Sequence, residues 1–157
     1  MSIARVSKVT LLQNTEYISS TWYKQYGGTK DDYGYGAAQS RQSQTYWIAG
    51  LTASSDGNIT TGNKGKTDSW LVQIDSMGNL RRSKTYGGSE ADTAYALTTF
   101  THGMLVAGTT ASNNGDVSGN HGGQDAWIYK TDTSGNLRWQ KTMGGSGHDV
   151  FTCMAYD

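Results

Sequence analysis

The chain has no proline, one cysteine and two glutamates among its 157 residues. Without proline its turns must rest on Gly, Asn, Asp and Ser, and 21 glycines are there to serve them. The lone Cys153 excludes an intrachain disulfide. Between Thr152 and Met154 its thiol is expected to be buried in a strand and inert. A glycosidase needs two facing carboxylic acids, and with only Glu16 and Glu90 it would have to use aspartates. Charge of one sign is lacking too: 13 Lys and Arg balance 13 Asp and Glu with no basic block. Nucleic acid is therefore not an expected partner, because its phosphates are met by clustered Lys and Arg. No apolar run is long enough for a membrane helix, so no membrane span is expected. The opening MSIARVSKVTLLQNTEYISS alternates and lacks the apolar centre of a secretion signal, so no signal peptide is expected in this chain.

What the chain does have is repetition. Residues 81–137 (RRSKTYGGSEADTAYALTTFTHGMLVAGTTASNNGDVSGNHGGQDAWIYKTDTSGNL) follow the same order of signals as residues 21–80. A third copy opens with RWQKTMGGSGHDVF. The step is 60 residues from Tyr26 to Tyr86 and 57 from Tyr86 to Met143. A period of that length built from short strands marks a radial or stacked repeat fold. Ten Tyr and five Trp against two Phe favour strands with amphipathic aromatic faces.

Four strands are legible in the second copy, at residues 93–99, 103–110, 126–132 and 137–143. Between the third and fourth lies Asp132-Thr133-Ser134-Gly135-Asn136, matched earlier by Asp75-Ser76-Met77-Gly78-Asn79. An Asp capping the next amides, then a Gly free to take positive φ, predicts a tight hairpin. No twelve-residue segment shows a 3.6 period, so the fold is expected to be all-β.

A four-stranded antiparallel sheet has two apolar faces and needs neighbours on both. Radial stacking provides them, so a β-propeller of four-stranded blades is expected. The loop K-x-[Y/M]-G-G-[S/T]-x-x-D, at Lys24–Asp32, Lys84–Asp92 and Lys141–Asp149, would lead from the outer strand of one blade to the inner strand of the next. One propeller domain over residues 1–157 then divides into a blade at 26–82, a blade at 83–140, and the first strand of a closing blade within 141–157. Residues 1–25 would complete that last blade. About three blades per chain fall short of a closed ring, so a second chain is expected to finish it as a homodimer. The alternative is a piece of a longer propeller.

The segments Tyr86-Gly87-Gly88-Ser89…Asp92, VAGTTASNNGD (106–116) and GDVSGNHGGQDAWIYKTDTSGNLRWQK (115–141) closely resemble repeats of secreted or surface-anchored bacterial and archaeal proteins. The repeat unit there looks like W-x-x-K-x-D-x-x-G-N-x-x-W-x-K-x-x-G-G-S-x-x-D. The resemblance covers residues 21–157, and the hairpin is also similar to Asp-box turns and quinoprotein-type blades. It implies a β-propeller, usually without an assigned activity, and a secreted or cell-surface location. Residues 1–20 depart from the pattern, and Arg82 stands where Trp22 and Trp139 stand in the other copies.

Repetition also sorts the candidate residues. Asp32, Asp92 and Asp149 recur, as do Asp68 and Asp125, so they are expected to cap loop amides. Trp70 and Trp127 recur with them and should pack between blades. The loops at 54–67 and 112–124 hold oxygen ligands of the kind Ca²⁺ takes. They lack the spacing of a calcium loop with its distal Glu, and Asx turns explain the same composition, so no metal or other cofactor is expected. His102, His121 and His148 are scattered, which does not make a zinc site.

The leading functional reading is a non-enzymatic binding or scaffold module meeting a protein or a glycan through its loop surfaces. Its candidate contact residues are Tyr33, Tyr35, Tyr46, Trp47, Asn113, Asn114 and His121. The alternatives are a glycoside-type hydrolase using Asp32, Asp92 and Asp149 at the central mouth, and a structural fragment that assembles with itself.

Overall fold

Eight strands and no helix form from residues 22–155, the part of the chain that the computed structural model describes. The expectation placed on residues 1–21, that they help complete a blade, lies outside the described residues. Strands β1 (Asp32–Gln39), β2 (Thr45–Thr52), β3 (Asp68–Asp75) and β4 (Leu80–Tyr86) make one antiparallel sheet in sequence order. Strands β5 (Asp92–Phe100), β6 (Gly103–Thr110), β7 (Asp125–Thr131) and β8 (Leu137–Met143) make the second in the same way. The chain passes from β4, the last strand of one sheet, to β5, the first strand of the other, through the Gly-Gly loop at 87–91.

The two sheets match down to their irregularities. Each first strand carries a bulge at the same place, between Gly34 and Gly36 in β1 and between Ala94 and Ala96 in β5. The extra residue is Tyr35 in one and Tyr95 in the other. Each fourth strand is irregular after its hairpin, where Arg81 and Arg138 fall out of the ladder. Such a bulge turns a side chain out of the regular alternation. Here it brings Arg81 Nη2 to 2.8 Å from Asp75 Oδ2, and Arg138 Nη2 to 2.7 Å from Asp132 Oδ2.

The hairpins close as their residues dictate. Asp132 Oδ1 accepts the Ser134 and Asn136 amides at 2.9 and 2.8 Å. Asp75 does the same for Met77 and Asn79 at 2.9 and 2.8 Å. Gly78 and Gly135 sit at φ 74° and 77°, the left-handed region that a side chain would resist.

The core lies between the sheets. Trp47, Ala49 and Leu71 from the first sheet meet Leu97, Val106, Trp127 and Tyr129 from the second. Strand β5 is the contact element, lying against β1, β2 and β3. Trp127 is wholly buried, and its indole N–H donates to Gln140 Oε1 at 3.0 Å. Removing so large a core ring costs about 3–5 kcal/mol. The other face of the first sheet buries Tyr26, Ile59, Trp70, Val72 and Ile74 as a separate cluster.

Two expectations need correction. Residues 150–155 form no strand; Phe151 is held there by one backbone bond to Gly108 O at 3.1 Å. A strand needs a paired neighbour along its length, and among the described residues this segment has none. Cys153, expected in a buried strand, is exposed on that same segment.

Candidate functional site

The first strands of the two sheets run beside each other, and tyrosines gather on them. The Tyr33 and Tyr35 rings are almost parallel, 9° apart with centroids 6.3 Å apart. Tyr95 from β5 meets Tyr35 at 5.1 Å with a 49° tilt. The two bulges produce this meeting, because each inserts its tyrosine at the same height of its strand. Tyr33 and Tyr35 remain 45% and 49% exposed, so their rings face solvent in spite of the contact. Burial, and then the neighbouring Tyr95 and Tyr33, raise the Tyr35 phenol above its ordinary value, which keeps it a neutral donor.

Further along the same two strands lies an open cleft of about 450 Å³ lined by Ala38, Gln39, Ser40, Arg41, Thr98 and Thr99. Thr99 Oγ1 donates to Gln39 O at 2.5 Å, and Arg41 Nε donates to Thr99 O at 3.0 Å. The seam is therefore aromatic along one stretch and polar along the next, where Thr99 and Arg41 tie the two strands together.

The recurring aspartates serve the loops. Asp32 accepts the Gly28 amide at 2.8 Å, the Ser54 hydroxyl at 2.9 Å and the Thr52 hydroxyl. Asp92 repeats this with the Gly88 amide and Ser112 hydroxyl, both at 2.8 Å, and with the Thr110 hydroxyl. Both carboxylates are buried. Burial raises Asp92 above the usual carboxylate range, against the hydrogen bonds from Thr110, Gly88 and Ser112. Asp149 is half-buried and accepts the Gly145 amide at 2.9 Å. A carboxylate held by such donors is poorly placed to exchange protons with a substrate.

The remaining candidates divide. Trp47 is 2% exposed in the core, which corrects its assignment as a contact residue: alternation along β2 turns it toward the second sheet. Tyr46 is half-buried against the Trp70 cluster. Asn113 and Asn114 are exposed, but their side-chain oxygens accept the Gly119 and Ser89 amides at 2.9 and 2.8 Å. His121 is exposed with Nδ1 2.6 Å from the wholly buried Asp125 carboxylate. In the first repeat Lys64 stands at its place, bonding Asp68 only through the backbone N–H at 2.9 Å. Among the described residues no group of three or more His, Cys, Asp or Glu could hold a metal ion. In the loop at 54–67 Asp56 accepts the Thr29 amide at 2.8 Å and Asn58 the Gly27 amide at 3.0 Å.

No protein-family model matches the chain, and comparison with curated proteins gives no match. Sequence reasoning missed Tyr95 and the cleft residues. The 60-residue step from Tyr35 would have found Tyr95; the cleft had no signal, since it exists only where two distant strands meet.

Proposed function

We propose that the two sheets are consecutive blades of a β-propeller, whose ring a second chain completes, and that the protein is a non-enzymatic module binding carbohydrate along the β1–β5 seam. The observation that carries this is the exposed Tyr33–Tyr35 pair with Tyr95 beside it. Tyrosine rings stack on the apolar face of a pyranose while their hydroxyls remain hydrogen-bonding groups. The polar cleft from Gln39 to Thr99 lies along the same strands, where the hydroxyls of an adjoining sugar unit would need partners. The resemblance of the repeats to secreted or surface-anchored proteins agrees with a glycan met outside the cell.

Calorimetric titration with a panel of oligosaccharides tests the reading. A saturable heat that Tyr35→Ala reduces at least tenfold in affinity, with the β spectrum unchanged, is the expected result. The reading is lost if no sugar in the panel binds, or if binding persists unchanged in Tyr35→Ala.

A further inference from the structure

The β5–β8 sheet has one face covered by the other sheet and one that is not. Trp127 and Tyr129 point into the core, so strand alternation sends Ala126 and Ile128 to the other side. Cross-strand partners share a face, which adds Ala107 opposite Ile128, and Met143 opposite Ala126. Leu105 and Trp139 join them through Lys130, the partner of both. Trp139 and Met143 are 45% and 41% exposed, and Leu105 and Ile128 are half-buried.

The first sheet shows what such a face is for. The residues at five of the matching places, Trp47, Ala49, Ser69, Leu71 and Tyr86, are buried beneath the second sheet, while Arg82, at the place of Trp139, is exposed. A repeat that ends a stack in water carries a polar outer face. At two of its places this face moves the other way. Ser69, bonded to Tyr129 Oη at 2.6 Å, becomes Ala126, and Tyr86, bonded to Gly135 O at 2.5 Å, becomes Met143. At those two places the face has exchanged a polar handle for an apolar group, while Lys130, partner of Leu105 and Trp139, and Lys141, partner of Ile128, lie on it as well.

On each side of the two-sheet body a segment outside the strands repeats a contact made between the two sheets. Asp149 N donates to Gln124 O at 2.6 Å, as Asp92 N donates to Thr67 O at 2.8 Å, and parallel bridges join Gln124 to His148 and Thr67 to Ala91. Asp149 is thus held beside the second sheet in the register by which Asp92, the first residue of β5, is held beside the first. On the opposite side, Tyr26 Oη donates to Gly78 O as Tyr86 Oη does to Gly135 O, and Trp22 Nε1 reaches Ser76 O at 2.9 Å. Residues 22–26 therefore stand to the first sheet as the end of β4 stands to the second. One side repeats the contact that leads into a sheet, and the other repeats the contact made at a sheet's end.

We infer that the face bearing Leu105, Ile128, Trp139 and Met143 docks a second copy of this chain, whose residues 22–26 form the outer strand of a sheet that Asp149 begins. The same contact made in return closes a two-fold pair. This rests on the propeller reading but not on carbohydrate binding, which Tyr35→Ala reads separately.

Light scattering on the whole chain, with alkylation of the exposed Cys153 as a second measure, tests it. Twice the 17.0 kDa chain mass is expected, with Cys153 protected from alkylation at high concentration and released on dilution. Met143→Asp should give a monomer with an unchanged β spectrum and an alkylation rate raised at least tenfold. A wild-type monomer at every concentration overturns the inference. So does a dimer that Met143→Asp and Trp139→Asp leave intact, since its interface lies elsewhere. If the variants fail to fold, Cys153 alkylation in the wild type that ignores concentration overturns it as well.

Discussion

Ser69 on β3 and Tyr129 on β7 share one buried hydrogen bond, 2.6 Å long, across the seam between the two sheets. Both residues are wholly buried, and burial holds the Tyr129 phenol well above its ordinary value, so it stays protonated. Ser69→Ala should cost about 1–3 kcal/mol, because it leaves a buried hydroxyl without a partner. Adding Tyr129→Phe should cost little more, since both ends of the bond are then apolar. Urea denaturation of the four proteins in a double-mutant cycle measures this; additive losses would show that the bond carries no coupling.

Asp68 should make stability fall as pH rises through the weakly acid range. Burial, with the Asp92 charge nearby, pushes its carboxyl up to about 6, against the Lys64 amide that bonds it. The unfolded chain has an ordinary value of about 3.9. Folding therefore takes up a proton, and this contribution is fully present below about pH 4 and lost as pH climbs through 6. Asp68→Asn should gain on wild type by about 1–3 kcal/mol between those limits. Its Oδ1 is buried without a hydrogen-bond partner, which is why the ionised form is disfavoured. A gap between the two proteins that does not vary with pH would refute this.

Asp132 should act in the opposite sense. Burial pushes its carboxyl up, but the Asn136 and Ser134 hydrogen bonds and the Arg138 charge outweigh that and hold it at about 2. Its folded value lies below the unfolded one, so its contribution is present above about pH 4 and fades as pH falls toward 2. Asp132→Ala should be less stable than wild type at neutral pH, and the gap should narrow through that acid window. Thermal melts at stepped pH measure the gap; one that is constant down to pH 2 counts against the cap.

Gly87 should tolerate no side chain. It sits at φ 151°, and a Cβ there would stand 2.3 Å from Asp92 Oδ2 and 3.0 Å from Asp68 Oδ1. Gly87→Ala should cost more than about 2 kcal/mol, since neither backbone nor buried carboxylates can yield cheaply. A circular-dichroism melt within a few degrees of wild type would contradict the crowding.

Much of the fold could be read before any coordinates. The expected strands at 103–110 and 137–143 are β6 and β8 to the residue, and those at 93–99 and 126–132 fall within a residue of β5 and β7. The capping of the hairpins by Asp75 and Asp132 was equally legible, because a turn is a local matter of which oxygen reaches which amide. The bulges that carry Tyr35 and Tyr95 were not legible. They depend on a ladder partner some fifteen residues away in sequence, and the alternation of β1 and β5 does not show them. Trp47 was misread for a related reason. It was counted with Tyr46 among the contact residues of the loop surfaces, but only the second sheet decides which face of β2 is covered. The β1–β5 seam therefore stood half in view, with Tyr33 and Tyr35 named and Tyr95 overlooked.

The loop ties have a consequence for how the two copies can diverge. In the first copy Asp56 holds the Thr29 amide and Asn58 the Gly27 amide; in the second, Asn114 holds Ser89 and Asp116 holds Gly87. Each role asks only for an oxygen, so carboxylate and amide have traded places without disturbing the loop. The trade frees the negative charge to move while the backbone stays fixed. At Asp116 it meets Lys64 of the neighbouring repeat. A duplicated loop of this kind can thus be recharged by exchanging Asn and Asp, acquiring a new neighbour with no new shape.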